Sequence, residues 1–542
     1  MRQDTPRGYS NWLKVRWWLR LSKTWWLLFA ISFFPLIGFI NSLNDIYFGF
    51  VDLVTPLISK PFYFKHDCGL RKATARLSIK SQWLQTGREW ECGSLYVEEN
   101  RKLLSGNTVR LPVLILRTTS EDRKSDPVLF IQGGPGVSSM ATPPLSVVWN
   151  QLVAEFDWLE DRDLIVFDQR GSGSSKPSFA CPEFDWLSPY FGYQISEDER
   201  LQPLLDCRNR LLENGIDLSS YDSNSIVADI EDLRSKLGIA SWNLWASSYG
   251  SRIALTLMHD HPDGVRSAVL SEVLPPGIGD RTDPTADFMQ AMNRLFSVCN
   301  KRRSCRKYYP QVEQHFFLAL EELKRQPVAL DIKSKWKIRN RSRSKDTSRV
   351  YVDEVLFLEL VNASLRSREG ITGLPRLIRT TTARLDRYLR EAIENEDLSN
   401  ILINPLATNT IRCNDGVWFS REERPASWSL PSALRRWDGI LEKSENCQPW
   451  MGKLSAAPES NAIQSNVPTL LLSGAFDPVT PPRLATEVHK SLPNSFQYIF
   501  PRNGHDAESN PCAKVIIWEF LKKPNEKPKL RCQDDVWRWK VQ

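Results

Sequence analysis

The sequence predicts an α/β protein with a mainly parallel central sheet, a helical cap inserted into it, and an apolar helix ahead of it. Three observations carry this. Short apolar runs bounded by Gly, Pro or polar residues alternate with segments of helical periodicity, as buried strands and their crossover helices do. A long helix-rich stretch from about Pro276 to Asn466 interrupts that rhythm before two more strand-like runs. At residues 243–255 (NLWASSYGSRIAL) an apolar run passes through two serines straight into a helical pattern.

The N-terminus comes first. Arg2, Arg7, Lys14, Arg16, Arg20 and Lys23 precede an uncharged stretch, within which residues 25–40 read WWLLFAISFFPLIGFI. Sixteen residues give about 24 Å of helix, so the polar flanks at Thr24 and 41–44 are needed to reach across a bilayer core of roughly 30 Å. The one nearby small-x-small site, Ala30-Ile31-Ser32, falls inside the apolar run, which argues for an uncleaved anchor. Basic residues ahead of it predict a cytoplasmic N-terminus and an exported body. The expected division is 1–24 basic segment, 25–44 signal-anchor helix, and 45–90 linker and start of the exported body. It continues with 91–275 first part of the core, 276–466 cap and 467–542 remainder of the core.

Ten cysteines bear on export independently. An even count in an exported chain suggests disulfides. Neighbour pairing is the simplest arrangement: Cys68 with Cys92, Cys181 with Cys207, Cys299 with Cys305, Cys413 with Cys447, and Cys512 with Cys532. Spacing alone does not decide connectivity. No pair has C-x-x-C spacing and the six histidines are scattered, so neither a metal site nor a cofactor is expected. A net charge of +7 over 542 residues, part of it in the first 23, gives no footing for nucleic-acid binding. The oligomeric state is not legible in the sequence.

Strands are expected at 109–116 (VRLPVLIL), 128–132 (VLFIQ), 164–168 (LIVFD), 242–246 (WNLWA), 268–271 (AVLS), 469–473 (TLLLS) and 496–500 (FQYIF). Between them, 225–237 places Ile226, Ile230, Leu233 and Leu237 on one helical face, and 250–261 follows the serines directly. In the cap, 313–325 and 353–365 read as helices, and the basic run 333–349 as a solvated loop.

Four motifs then converge on one chemistry. Ala246-Ser247-Ser248-Tyr249-Gly250 fits the strand–turn–helix elbow G-x-S-x-G with Ser248 central, because its flanks two residues away are small, whereas Ser247 would have Trp245 and Tyr249 there. Gln132-Gly133-Gly134-Pro135-Gly136 ends an early strand; Gly133 and Gly134 there, with Tyr249 after the nucleophile, are the candidate oxyanion donors. Asp477 lies in the loop after 469–473 and His505 after the last strand. The chain order Ser248, Asp477, His505 is that of a nucleophile, the acid that orients its base, and the base.

The segments FIQGGPG (130–136), FDQRGSGSS (167–175) and SSYGSR (247–252) resemble the α/β-hydrolase family that contains proline iminopeptidases and exported tripeptidyl aminopeptidases. IRCNDG (411–416), the 474–481 loop and Gly504-His505 resemble the C-terminal portion of the tripeptidyl aminopeptidase branch. Two positions depart from the family's usual residues: Gln132 stands for His and Ala246 for Gly. The resemblance implies an α/β-hydrolase fold and an aminopeptidase that releases N-terminal residues or tripeptides through an acyl-enzyme, with peptides as substrates. Such an enzyme needs a carboxylate for the substrate's free amine, and Glu272 or Asp415 is the candidate. An esterase on the same triad, and a non-catalytic binding protein that kept the fold, are the competing readings.

Overall fold

A computed structural model describes residues 59–66, 89–103, 106–140, 159, 161–184, 197–277, 283–333, 347–379, 405–416, 434–437, 447, 463–529 and 539. The expected anchor at 25–44 lies outside them. Among the described residues no helix is long and apolar enough to cross a membrane.

The strands are β1 (Phe62–His66), β2 (Trp90–Glu98), β3 (Thr108–Leu116), β4 (Val128–Ile131), β5 (Leu164–Phe167), β6 (Trp242–Ser247), β7 (Val265–Ser271), β8 (Val328–Lys333), β9 (Thr347–Val352), β10 (Thr469–Gly474) and β11 (Ser495–Phe500). Nine form one sheet in the order β1-β2-β3-β5-β4-β6-β7-β10-β11. From β5 to β11 every pairing is parallel, whereas β1, β2, β3 and β5 pair antiparallel in sequence. All four residues of β4 and of β5 are buried, as strands covered on both faces require.

Two expectations change here. The sheet begins inside the 45–90 segment, because β1 pairs Phe62 to Tyr96 and His66 to Cys92 along β2. The basic run is flanked by a separate antiparallel hairpin, β8 against β9, so Lys333 and 347–349 are strand rather than loop; residues 334–346 lie outside the described part.

The helices are α1 (Glu197–Glu213), α2 (Ser223–Lys236), α3 (Tyr249–Asp260), α4 (Pro284–Lys301), α5 (Arg303–Tyr308), α6 (Val312–Arg325), α7 (Glu354–Ser364), α8 (Arg368–Arg379), α9 (Pro405–Asn414), α10 (Pro482–Ser491) and α11 (Pro511–Lys522). Asp222, Asp283, Asp353 and Asn510 cap α2, α4, α7 and α11 by accepting first-turn N–H groups.

Helices α4 to α8 share a core of their own, built around Phe288, Phe316, Leu356 and Leu374. The 276–466 insertion is nevertheless not one body. Leu406, Ala407 and Ile411 of α9 join the core of the sheet, beside Tyr249, Ile253 and Leu270. Disulfides join Cys181 to Cys207, Cys299 to Cys305 and Cys413 to Cys447. Cys92 and Cys512 are disulfide-bonded as well, and their expected partners Cys68 and Cys532 lie outside the described residues.

Candidate active site

Strand β6 ends at Ser247 and α3 begins at Tyr249, so the entire reversal falls on Ser248, at φ 54° and ψ −126°. A side chain at positive φ is strained. The strain holds because the flanks are locked: Ser248 N–H donates to Ser271 O at 2.9 Å and Ser251 Oγ donates to Ser248 O at 2.6 Å. Gly250 is needed for closeness, since a Cβ there would lie 2.2 Å from the Ile131 carbonyl oxygen at the end of β4. Ala246, where the family has glycine, is fully buried within the sheet core.

The half-buried tip meets the loop that follows β11. Ser248 Oγ lies 3.0 Å from His505 Nε2, and His505 Nδ1 lies 2.8 Å from Asp477 Oδ2. Asp477 is fixed by Val479 N–H, Thr480 N–H and Thr480 Oγ1, at 2.8, 3.0 and 2.7 Å. Burial would raise its carboxyl, but the imidazole's charge and hydrogen bond, with Thr480, outweigh that and hold it below its usual value. Thr480 Oγ1 also stands 3.1 Å from His505 Nδ1, a second contact that sequence order gave no means to find. The two loops touch through their backbones: a Cβ on Gly474 would lie 1.9 Å from Gly504 O. The side chain of Asp477 is buried, while His505 keeps 18% of its surface exposed.

The Gly-rich loop lies against this turn, a Cβ on Gly133 falling 2.8 Å from both Ser247 O and Ser248 Cβ. Gly133 N–H is already engaged, donating to Gln132 Oε1 at 2.9 Å. Of the three expected oxyanion donors it is therefore the one the structure spends elsewhere, on the residue that departs from the family pattern. Gly134, at φ 118°, and Tyr249, at the uncapped first position of α3, remain. Asp168 holds the far end of the loop, accepting from Ser138 Oγ, Ser139 N–H, Met140 N–H and Ser174 N–H at 2.7 to 2.9 Å. Arg170 of the same motif is buried against Asp229 in a two-pronged ion pair at 2.8 and 2.7 Å.

The two acids expected to bind a substrate amine have other partners. Asp415 lies at the end of α9 and accepts from Ser223 N–H at 2.8 Å, Ser223 Oγ at 2.7 Å and Tyr249 Oη, with Arg252 Nε 3.3 Å away. It is buried beside its own counter-ion, with both carboxyl oxygens already accepting hydrogen bonds from the fold. Burial first, then the Asp415 charge, push the Tyr249 phenol well above its usual range. Replacing Tyr249 with phenylalanine keeps the backbone N–H but strips this buried carboxylate of a donor. We expect a stability loss of about 1–3 kcal/mol in urea unfolding, with the reaction of the serine largely retained.

Glu272, directly after β7, is 1% exposed, with Oε2 3.0 Å from Ser247 Oγ and Oε1 2.5 Å from Ala507 N. Both of its carboxyl oxygens are thus engaged within the fold. Among the described residues, metal-type donors cluster at Cys181, Glu183 and Cys207, whose sulfurs are spent on a disulfide.

Residues 126–335 match the profile of the alpha/beta hydrolase fold family, and residues 438–532 match that of the TAP-like proteins. The chain carries the α/β-hydrolase fold. It is similar to the putative hydrolase YuaR of Escherichia coli (26% identity over 244 residues, 42% of each chain). It is similar also to a proline iminopeptidase of Neisseria meningitidis (29% over 144 residues, 27% of this chain and 31% of the relative). Serine protease Hip1 of Mycobacterium bovis matches over a longer stretch, at 22% over 435 residues, 74% of this chain and 79% of the relative. The matched region spans less than half the length of the first two relatives. Within this α/β-hydrolase, Ser248, Asp477 and His505 occupy the ends of β6, β10 and β11, at the carboxyl edge of the parallel strands where such sheets hold their ligands.

Proposed function

We propose that this α/β-hydrolase is an exported serine exopeptidase that removes N-terminal residues or short units, tripeptides included, from peptides. The observation that carries the reading is the unbroken row Asp477–His505–Ser248, at 2.8 and 3.0 Å, with the serine at the tip of a strained turn. Ser248 Oγ attacks the scissile carbonyl carbon and its proton passes to His505 Nε2. The N–H groups of Gly134 and Tyr249 receive the oxyanion, and His505 returns the proton to the departing amine. Water then repeats the sequence on the acyl-enzyme and releases the acid. Asp477 stays ionised and holds the imidazole in the right tautomer.

Peptidase relatives favour amide substrates over the esters of the competing reading. Closure on the histidine side favours short substrates: a Cβ on Gly504 would meet Leu365 O at 1.9 Å, and Arg368 N–H donates to Asp506 Oδ2 at 3.1 Å, so the cap leans directly on the His505 loop. The disulfides suit an oxidising compartment, and the apolar segment 25–44 would tether the body to the membrane it has crossed.

A matched panel of peptides with free and acetylated N-termini tests the assignment. Release of N-terminal fragments from the free series, with turnover of the acetylated series at least about tenfold lower, is the expected result. Equal turnover of both, or turnover of acyl esters alone, would overturn the exopeptidase reading.

A further inference from the structure

We propose that Glu272 is a positioning residue that fixes the nucleophile's turn to the histidine's loop, bridging Ser247 Oγ and Ala507 N–H with its two carboxyl oxygens. The inference rests on the triad assignment above and adds to it.

Each half of the bridge is adjacent to chemistry. Ser247 immediately precedes Ser248, and Ala507 is two residues beyond His505. One carboxyl group, with Oε2 3.0 Å from Ser247 Oγ and Oε1 2.5 Å from Ala507 N, therefore spans two segments about 260 residues apart in the chain that must meet within hydrogen-bond reach.

Its own backbone is held just as firmly. Glu272 N–H donates to Leu472 O at 3.0 Å on β10, the strand that leads to Asp477, and the preceding Ser271 O accepts Ser248 N–H at 2.9 Å. All three members of the triad thus refer to the end of β7.

Two features show that this acid is not there for ease of packing. Its φ of 51° is a left-handed conformation that a long side chain rarely adopts. Its carboxyl is buried among other acids: Glu508, whose Oε2 accepts from Trp245 Nε1 at 3.1 Å, and Asp477. Burial first, then those two charges, raise it well above the usual carboxyl range, which favours the neutral, hydrogen-bonding form. Strain and a buried acid set beside other acids persist together only where the surroundings impose them, and such places cluster at functional sites. Both oxygens being spent inside the fold, the role is mechanical rather than recognition of a substrate cation.

The test uses the full chain, a fluorophosphonate probe, and kcat and KM on a free-amine peptide, with Glu272→Ala, Glu272→Gln and Ser247→Ala. We expect Glu272→Ala to lower the probe's reaction rate and kcat by about tenfold to a hundredfold with KM little changed, the loss that a misplacement of an ångström brings. Glu272→Gln should recover most of it, because its amide oxygen can accept Ala507 N–H while its N–H donates to Ser247 Oγ. Ser247→Ala should show the same kcat loss, and decides the matter if Glu272→Ala does not fold. Wild-type kcat in both alanine variants, failure of glutamine to rescue, or a loss confined to KM for free-amine peptides would overturn the inference. If wild type itself is not labelled, the serine-hydrolase reading falls, and this inference with it.

Discussion

Alanine in place of Ser248 should reduce peptide turnover by at least about 10⁴-fold and abolish labelling by a fluorophosphonate, while the protein keeps its wild-type melting temperature. The separation of activity from stability follows from the geometry. Ser248 Oγ makes no capping bond to α3; its partner is His505 Nε2 at 3.0 Å. Alanine keeps the Cβ and so leaves the positive φ neither better nor worse accommodated. What disappears is the nucleophile, and the residual rate is what oxyanion donors and binding supply by themselves. A fall of tenfold or less would mean that Ser248 is not the attacking group. Mass spectrometry of the labelled wild type would then locate the residue that is.

Gly504→Ala carries the second large effect, though glycine 504 has no side chain to lose. A methyl there would sit 1.9 Å from Leu365 O and 2.7 Å from Arg366 C, both backbone atoms of the junction between α7 and α8. Backbone yields less readily than a flexible side chain, so the loop bearing His505 and the cap must move apart by more than an ångström. A displacement of that size lowers kcat by about 10²-fold through misalignment of the imidazole. Wild-type kcat in Gly504→Ala would show that the histidine loop and the cap can separate without cost to the site. The probe's rate and a thermal melt, measured together, distinguish misalignment from global unfolding.

Much of the candidate site was legible because its motifs are local. Small flanks select Ser248, and Asp477 and His505 each follow a strand whose apolar run is plain in the sequence. The buried central strands were legible for the same reason. What escaped is non-local. Strand β1 is five residues, FYFKH, each of them half-buried or exposed, and it becomes a strand only by pairing with β2. Strand β2 (WECGSLYVE) carries glycine, cysteine and terminal acids that give it no clear alternation until β3 covers its other edge.

The two candidate acids show the same limit at the level of single side chains. A carboxylate near a nucleophile reads as a partner for a cation, and nothing local reveals that Ser223 and Arg252 already claim Asp415, or that Ser247 and Ala507 claim Glu272. Gln132 is the exception that could have been read. An amide directly before a glycine has a main-chain donor in reach, and it takes the Gly133 N–H.

The scattering of the proposed triad along the chain would also time its own assembly. Ser248 and His505 are 257 residues apart, and the cap lies between them in sequence. During synthesis the strand and turn bearing the serine emerge first, together with β1 to β7, and domains fold as they emerge. Until β10 and β11 have been made and the loop closed over the intervening cap, that serine has no base beside it. On the proposed mechanism the nascent chain would therefore carry an inert hydroxyl, and reactivity would arrive only once β10 and β11 are in place.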